Sequence, residues 1–137
     1  MARITRMDVS IRTGENGTDG RVFIGAGGRE FCLDRPGRND FTRNTTSHFV
    51  LGGDNNVDNV VEPERNDPNK LDPIDTADLD KFPMYIRYDR GGVWRIEDVL
   101  VQVNPGAGQL NFGALRNGTD HIFLGDTSGA MLFLERL

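Results

Sequence analysis

Short runs in which apolar and polar residues alternate one by one decide what this chain can fold into. Met7, Val9 and Ile11 alternate with Asp8, Ser10 and Arg12. A period of two places all three apolar side chains on one face of an extended strand. Phe49 and Leu51 repeat the pattern, as do Met84, Ile86 and Tyr88, and later Val99, Val101 and Val103. No stretch sustains an apolar repeat of helical period. Between the runs lie clusters of turn formers, Thr13-Gly14-Glu15-Asn16-Gly17-Thr18-Asp19-Gly20 being the densest. The 17 Gly and 6 Pro residues fit frequent turns. Roughly eight or nine short strands between such turns predict an all-β sandwich or barrel.

Finer features follow from the same reading. Gly25-Ala26-Gly27-Gly28 lies between the runs Arg21–Ile24 and Arg29–Leu33, which predicts a hairpin. Glu97-Asp98 interrupts the alternation that begins at Trp94-Arg95-Ile96 and resumes at Val99, which predicts a β-bulge. Arg90-Gly91-Gly92 turns the chain before Trp94. Residues 53–81 carry no clear period and are rich in Asp, Asn and Pro. That is long for a loop in a compact domain, so the segment reads as an insertion, ordered by a partner or a cation. One helical turn is expected near Thr76-Ala77-Asp78-Leu79. Its acidic residues Asp54, Asp58, Asp67, Asp72, Asp75, Asp78 and Asp80 read as a solvated loop, with a second cation site as the sharper alternative.

The length of 137 residues suits one domain spanning residues 1–137. The net charge of −5 argues against a nucleic-acid binder, which needs a basic field. No apolar stretch is long enough to span a bilayer. The first residues, Met1-Ala2-Arg3-Ile4-Thr5-Arg6, lack the apolar core of a secretory signal. One cysteine, Cys32, excludes an intrachain disulfide. Together these favour the cytoplasm or export by a signal-independent route. Cys32 itself reads as a small buried hydrophobe.

Catalysis finds no support. There is no Gly-x-Ser-x-Gly elbow and no His-Glu-x-x-His pair. His48 and His121 lack a second ligand at metal spacing. Gly25–Gly28 is not followed by a phosphate-loop lysine. The chain is expected not to be an enzyme. Two loops, Glu15–Asp19 and Asp34–Asp40, instead mix carboxylates and amides with glycine. Such loops suit Ca²⁺, which takes six to eight oxygens from carboxylates, amides and backbone carbonyls.

The order of three stretches resembles the PLAT domain family (polycystin, lipoxygenase, alpha-toxin). The first is Val9-Ser10-Ile11-Arg12-Thr13-Gly14 with Gly17-Thr18-Asp19. The second is Phe31-Cys32-Leu33-Asp34-Arg35-Pro36-Gly37-Arg38-Asn39-Asp40-Phe41. The third is Gly92-Val93-Trp94-Arg95-Ile96-Glu97-Asp98-Val99-Leu100-Val101. The resemblance implies an antiparallel eight-stranded β-sandwich, with Trp94 and Phe41 in its core and residues 53–81 as a long inserted loop. It implies a calcium-binding module that attaches to a lipid surface, a protein or a glycan. By it, Gly17 and Gly37 would offer carbonyls, and Thr18, Asp34, Asn39 and Asp40 side-chain or backbone oxygens. Glu15 stands where calcium-binding members carry Asp. Asp89 would replace an acidic ligand missing at Gly92. Arg35 and Arg38 sit inside the second loop and would oppose a cation unless both point away. The rival reading is a structural subunit or possible homo-oligomer that meets neighbouring chains through sheet edges and the long insertion, any calcium being structural.

Overall fold

The computed structural model describes residues 2–53, 57–89 and 92–137. Every alternating run becomes a strand. β1 (Arg6–Thr13) lies between β4 (Thr45–Gly52) and β6 (Trp94–Val103), and β6 leads on to β7 (Leu110–Ala114) and β10 (Glu135–Arg136). A short strand, β8 (Ile122–Leu124), pairs with the start of β6. The second sheet runs β3 (Arg29–Cys32), β2 (Arg21–Ala26), β5 (Tyr85–Asp89), β9 (Met131–Phe133). All pairings between these strands are antiparallel.

The expected sandwich is present, with ten strands among the described residues rather than eight. The difference arises near the C-terminus. Trp94–Ile96 pairs with β8 and Val99–Val103 with β7, so two short strands share one long neighbour. The expected bulge sits at that division. Arg12 faces Asp98 but Thr13 faces Ile96, leaving Glu97 as the extra residue. The shift keeps Trp94 and Ile96 inward together with Val99, Val101 and Val103, all fully buried. The chain then changes sheets at Leu134, between β9 and β10.

The inward faces make one core. Val9, Ile11, Val99 and Val101 meet Ile24, Phe31 and Ile86, each with no exposed surface. Gly27 (φ +60) and Gly28 (φ +86) make the β2–β3 turn. Two successive positive φ angles match the twist of the flanking strands and favour glycine at both positions.

The insertion is ordered from within the chain, by Arg29 and by packing on the core. The Arg29 guanidinium donates to the carbonyls of Arg65 (3.1 Å), Asp67 (3.2 Å), Lys70 (2.9 Å) and Asp72 (2.9 Å). A planar group with several fixed donors holds a folded segment in a way that one ammonium would not. Val60, Ile74 and Leu79 reach from the insertion into the core. The expected helical turn is α1 (Asp78–Lys81). The acidic residues serve as turn caps and ion-pair acceptors. Asp67 caps Asn69, Asp75 caps Ala77 and Asp78, and Asp58 receives two arginines. Asp54, Arg90 and Gly91 lie outside the described residues. No helix among the described residues is long and apolar enough to cross a membrane.

Candidate functional site

Four connections gather at the end of the sandwich where β1 finishes and β6 begins: β1–β2, β3–β4, β5–β6 and β8–β9. The Thr18 N–H donates to the Phe41 carbonyl at 3.0 Å, joining the first loop to the second. Gly17 allows this approach, since a Cβ there would lie 2.7 Å from the same carbonyl. The Arg95 N–H donates to the Asn16 carbonyl at 2.9 Å and ties the first loop to β6.

Phe41 anchors the second loop from below. It is buried, stacks on Phe49 at 5.3 Å and meets the edge of Trp94 at 5.0 Å. Its φ of +58 is a left-handed backbone, costly for a residue with a side chain by about 1 kcal/mol. The aromatic contacts and the Ser47 hydroxyl, which accepts the Phe41 N–H at 3.1 Å, hold it there. Trp94 has no exposed surface, and its Nε1 donates to Thr13 Oγ1 at 3.1 Å. Both aromatics are core residues, as their positions in the sequence suggested.

Between the loops lies a recess of about 220 Å³, its wall including Thr18, Asp19, Asp34, Asn39 and Asp40. The structure thus brings together Thr18, Asp34, Asn39 and Asp40 from the sequence-derived set. Glu15, Gly17, Gly37 and Asp89 are not among its lining residues. Glu15 is exposed in the first loop, and Gly37 forms the tip of the second with φ +67. Asp89 ends β5 opposite Arg21. Asp19 is a lining carboxylate that the ligand set derived from sequence omitted. Its place in the Gly-Thr-Asp triplet, directly after Thr18, was the available signal.

The electrostatics of the recess are uneven. Arg35 holds Asp40 from both sides, through its backbone N–H to Oδ2 (2.8 Å) and Nε to Oδ1 (2.6 Å). Its Nη1 also reaches Asp58 at 3.1 Å, and Arg38 reaches the same oxygen at 2.9 Å. Neither arginine points away from the second loop's carboxylates: Arg35 is bonded to Asp40, and Arg38 lines the recess together with Arg21, so their charge opposes a cation there, as the sequence warned. Asp58, the further partner of both, lies in the insertion and was not revealed by loop composition. Asp34 as a residue is exposed, yet loss of water against the recess wall and then the charge of Asp40 hold its carboxyl above its ordinary pKa. The Asp40 charge disfavours ionisation of Asp34, and a cation beside Asp34 would relieve this. Among the described residues no three His, Cys, Asp or Glu side chains are placed to hold a metal ion. Ca²⁺ also accepts amide and backbone oxygens, so the carboxylates do not form a site by themselves, and one would need Asn39 and loop carbonyls beside them.

Cys32 departs from expectation. It is half-buried, because Phe31 and Leu33 take the inward positions and leave it on the outer face of β3. Burial pushes its thiol pKa up, which disfavours the reactive thiolate. His48 accepts or donates a 2.8 Å bond with Ser10 on the open face of the larger sheet.

No family model and no curated protein matches the sequence. Solved structures do. The alpha toxin from Clostridium absonum superposes with a TM-score of 0.59 and 23% identity, over 98% of this chain and 32% of the toxin. The coral 8R-lipoxygenase superposes with a TM-score of 0.56 and 18% identity, over 96% of this chain and 17% of the lipoxygenase. The fold is PLAT-like. At these identities the likeness is one of architecture, and the PLAT-like unit spans a third or less of either neighbour. The coral lipoxygenase structure reports calcium activation via a C2-like domain.

Proposed function

We propose that this chain is a non-catalytic attachment module that docks onto an anionic lipid surface through its loop end, with Ca²⁺ held in the recess. The observation that carries the reading is the convergence of Asp34 and Asp40 on one recess, with Asp34 held above its ordinary pKa and no basic side chain bonded to its carboxylate among the described hydrogen bonds and ion pairs. Asp34 and Asp40 would supply carboxylate oxygens, Asn39 its amide oxygen, and Thr18 its backbone. Arg35 occupies one lone pair on each Asp40 oxygen and leaves the others available. Ca²⁺ supplies positive charge and open coordination positions to which a phosphate oxygen can bind.

Two features of the same end support a surface partner. Val93 is 43% exposed just before β6, and Arg43 is exposed in the β3–β4 connection. With a net charge of −5 the chain is repelled by an anionic leaflet, and a bound cation reverses the local field at the loops. The calcium activation reported for the coral lipoxygenase, which shares the fold, points the same way.

Thermal unfolding of the EDTA-treated protein, repeated with Ca²⁺ and with Mg²⁺, tests the metal. At about 100 times its dissociation constant a native-state ligand adds roughly 2.7 kcal/mol, a rise on the order of 5 °C for a chain of this size. Flotation with phosphatidylcholine–phosphatidylserine vesicles tests the surface. Ca²⁺-dependent flotation that Asp34→Asn abolishes is the expected result. A midpoint indifferent to Ca²⁺, with no flotation, would remove the reading.

A further inference from the structure

β9 is an open edge of the smaller sheet. Among the described strands it pairs with β5 alone. The Tyr88 N–H donates to the Ala130 carbonyl at 2.8 Å and the Leu134 N–H to the Met84 carbonyl at 2.9 Å. Leu132 lies opposite Ile86 between them. Hydrogen-bonding direction alternates along an antiparallel strand. Positions 130, 132 and 134 therefore face β5, and the N–H and C=O groups of Met131 and Phe133 point off the edge. The side chains of those two residues lie on the sheet's outer face, 39% and 57% exposed. Exposed edges are commonly blunted by lysine, proline, a bulge or a covering segment. Met131-Leu132-Phe133 has neither charge nor proline.

We propose that β9 pairs antiparallel with β9 of a second copy of this chain, about a two-fold axis at Leu132. The register suits a second copy. Centred on Leu132, Met131 of each copy faces Phe133 of the other. These are the residues whose backbone groups point outward, so each pair exchanges both of its hydrogen bonds. Centring on Met131 or Phe133 instead retains a single such pair. A one-residue slip turns the β5-facing groups toward the partner and loses them all. The side chains agree with the register. Each Met131 thioether lies cross-strand from an aromatic ring, a favourable contact, and Tyr85 already meets the edge of Phe133 at 6.2 Å. Charge agrees as well. Arg87, next to Met131 on that face, is neutralised by Glu30 at 2.7 and 2.9 Å, so no unpaired like charges from these two residues meet at the edge.

The symmetry has a functional consequence. A two-fold axis perpendicular to a sheet reverses strand direction, so the loop ends of the two copies face opposite ways. Resting on the attachment reading above, the dimer bridges two surfaces instead of gripping one twice.

Sedimentation velocity on the protein alone, over roughly 10 µM to 1 mM, reads the association without Ca²⁺ or vesicles, so its outcome is separate from that of the attachment reading. The average mass should climb toward that of a dimer. Phe133→Lys should weaken association about tenfold or more, with the variant still folding cooperatively. A monomer at every concentration overturns the proposal, as does association that Phe133→Lys leaves intact. Leu132→Cys in a Cys32→Ser background checks the axis. Residues facing each other in a non-hydrogen-bonded pair lie about 4.5 Å apart at Cα, within reach of a disulfide. Oxidation should yield a cross-linked dimer, and persistent association without a cross-link would place the interface elsewhere and overturn the register.

Discussion

β3 and β9 are the two edges of one sheet, yet the chain treats them in opposite ways. Along β3 the insertion is strapped down at several heights. The Cys32 N–H donates to Asn66 Oδ1 at 2.9 Å, the Asn66 amide donates to the Val61 carbonyl at 2.8 Å, and the Val61 N–H donates to the Asp34 carbonyl at 2.8 Å. The same segment reaches the edge of the larger sheet, where the Val50 N–H donates to the Asp58 carbonyl and the Val60 N–H to the Val50 carbonyl. One insertion thus covers the edges of both sheets on that side. β9 has no such cover among the described strands. The contrast teaches that the insertion is part of the fold's closure, and that the side left without it is where another strand fits.

The strap rests most on Arg29. Burial draws its pKa down against the opposing pull of Asp72 and Asp67, and its donors reach carbonyls from Arg65 to Asp72. Arg29→Ala should cost about 2–3 kcal/mol, since several bonds from a charged donor are lost together. The midpoint should fall by on the order of 6–9 °C, and hydrogen exchange should quicken across 65–72. Arg29→Lys should recover part of the loss, because an ammonium lacks the flat fork. An Arg29→Ala midpoint matching wild type would mean the insertion holds without its cation.

Asn66 comes next. It is 4% exposed and bonds both to β3 and to the insertion. Asn66→Ala strips a partner from the Cys32 N–H and should cost about 1–2 kcal/mol. It should also make the β3 edge behave like β9, which light scattering reads as concentration-dependent association absent from a Phe133→Lys background. If that background stays monomeric with Asn66 removed, the insertion shields the edge by bulk and not by bonding.

What the sequence made legible divides along the same line. The Gly-rich turn between them placed β2 and β3, while period-two alternation exposed β1, β4, β5 and β6, because burial of one side leaves that mark. The Glu97 bulge was visible for the same reason, as a break in phase. β10, two exposed residues after Leu134, carries no such signal. The insertion's order was hidden because its ligands are backbone carbonyls, identical in every residue, brought round an arginine far away in sequence. At the loop end, composition brought out the loop Asp34–Asp40, and the family resemblance singled out Asp34, Asn39 and Asp40 within it. Neither disclosed that Arg35 is turned onto Asp40 and Asp58, since the direction of a long side chain depends on a residue in another segment.

The smallest predicted effect separates strap from recess at one residue. The backbone of Asp34 belongs to the strap through Val61, while its carboxylate lines the recess. Its carboxyl is held above its ordinary pKa, by lost water and then by Asp40. The folded chain therefore binds that proton more tightly than the unfolded chain does. The contribution to stability is full below the unfolded pKa and is lost as pH rises through the folded value. At neutral pH without Ca²⁺ the charged side chain is a small liability. Asp34→Asn should raise the midpoint by on the order of 1–2 °C there, a modest figure because the group is partly solvated. The gain should vanish in acid, where the carboxyl is protonated, and the sign should reverse in Ca²⁺, which stabilises only the carboxylate form. A midpoint lowered at neutral pH in EDTA would instead show that the Asp34 carboxylate supports the strap, and that the recess and the covered edge are one structure.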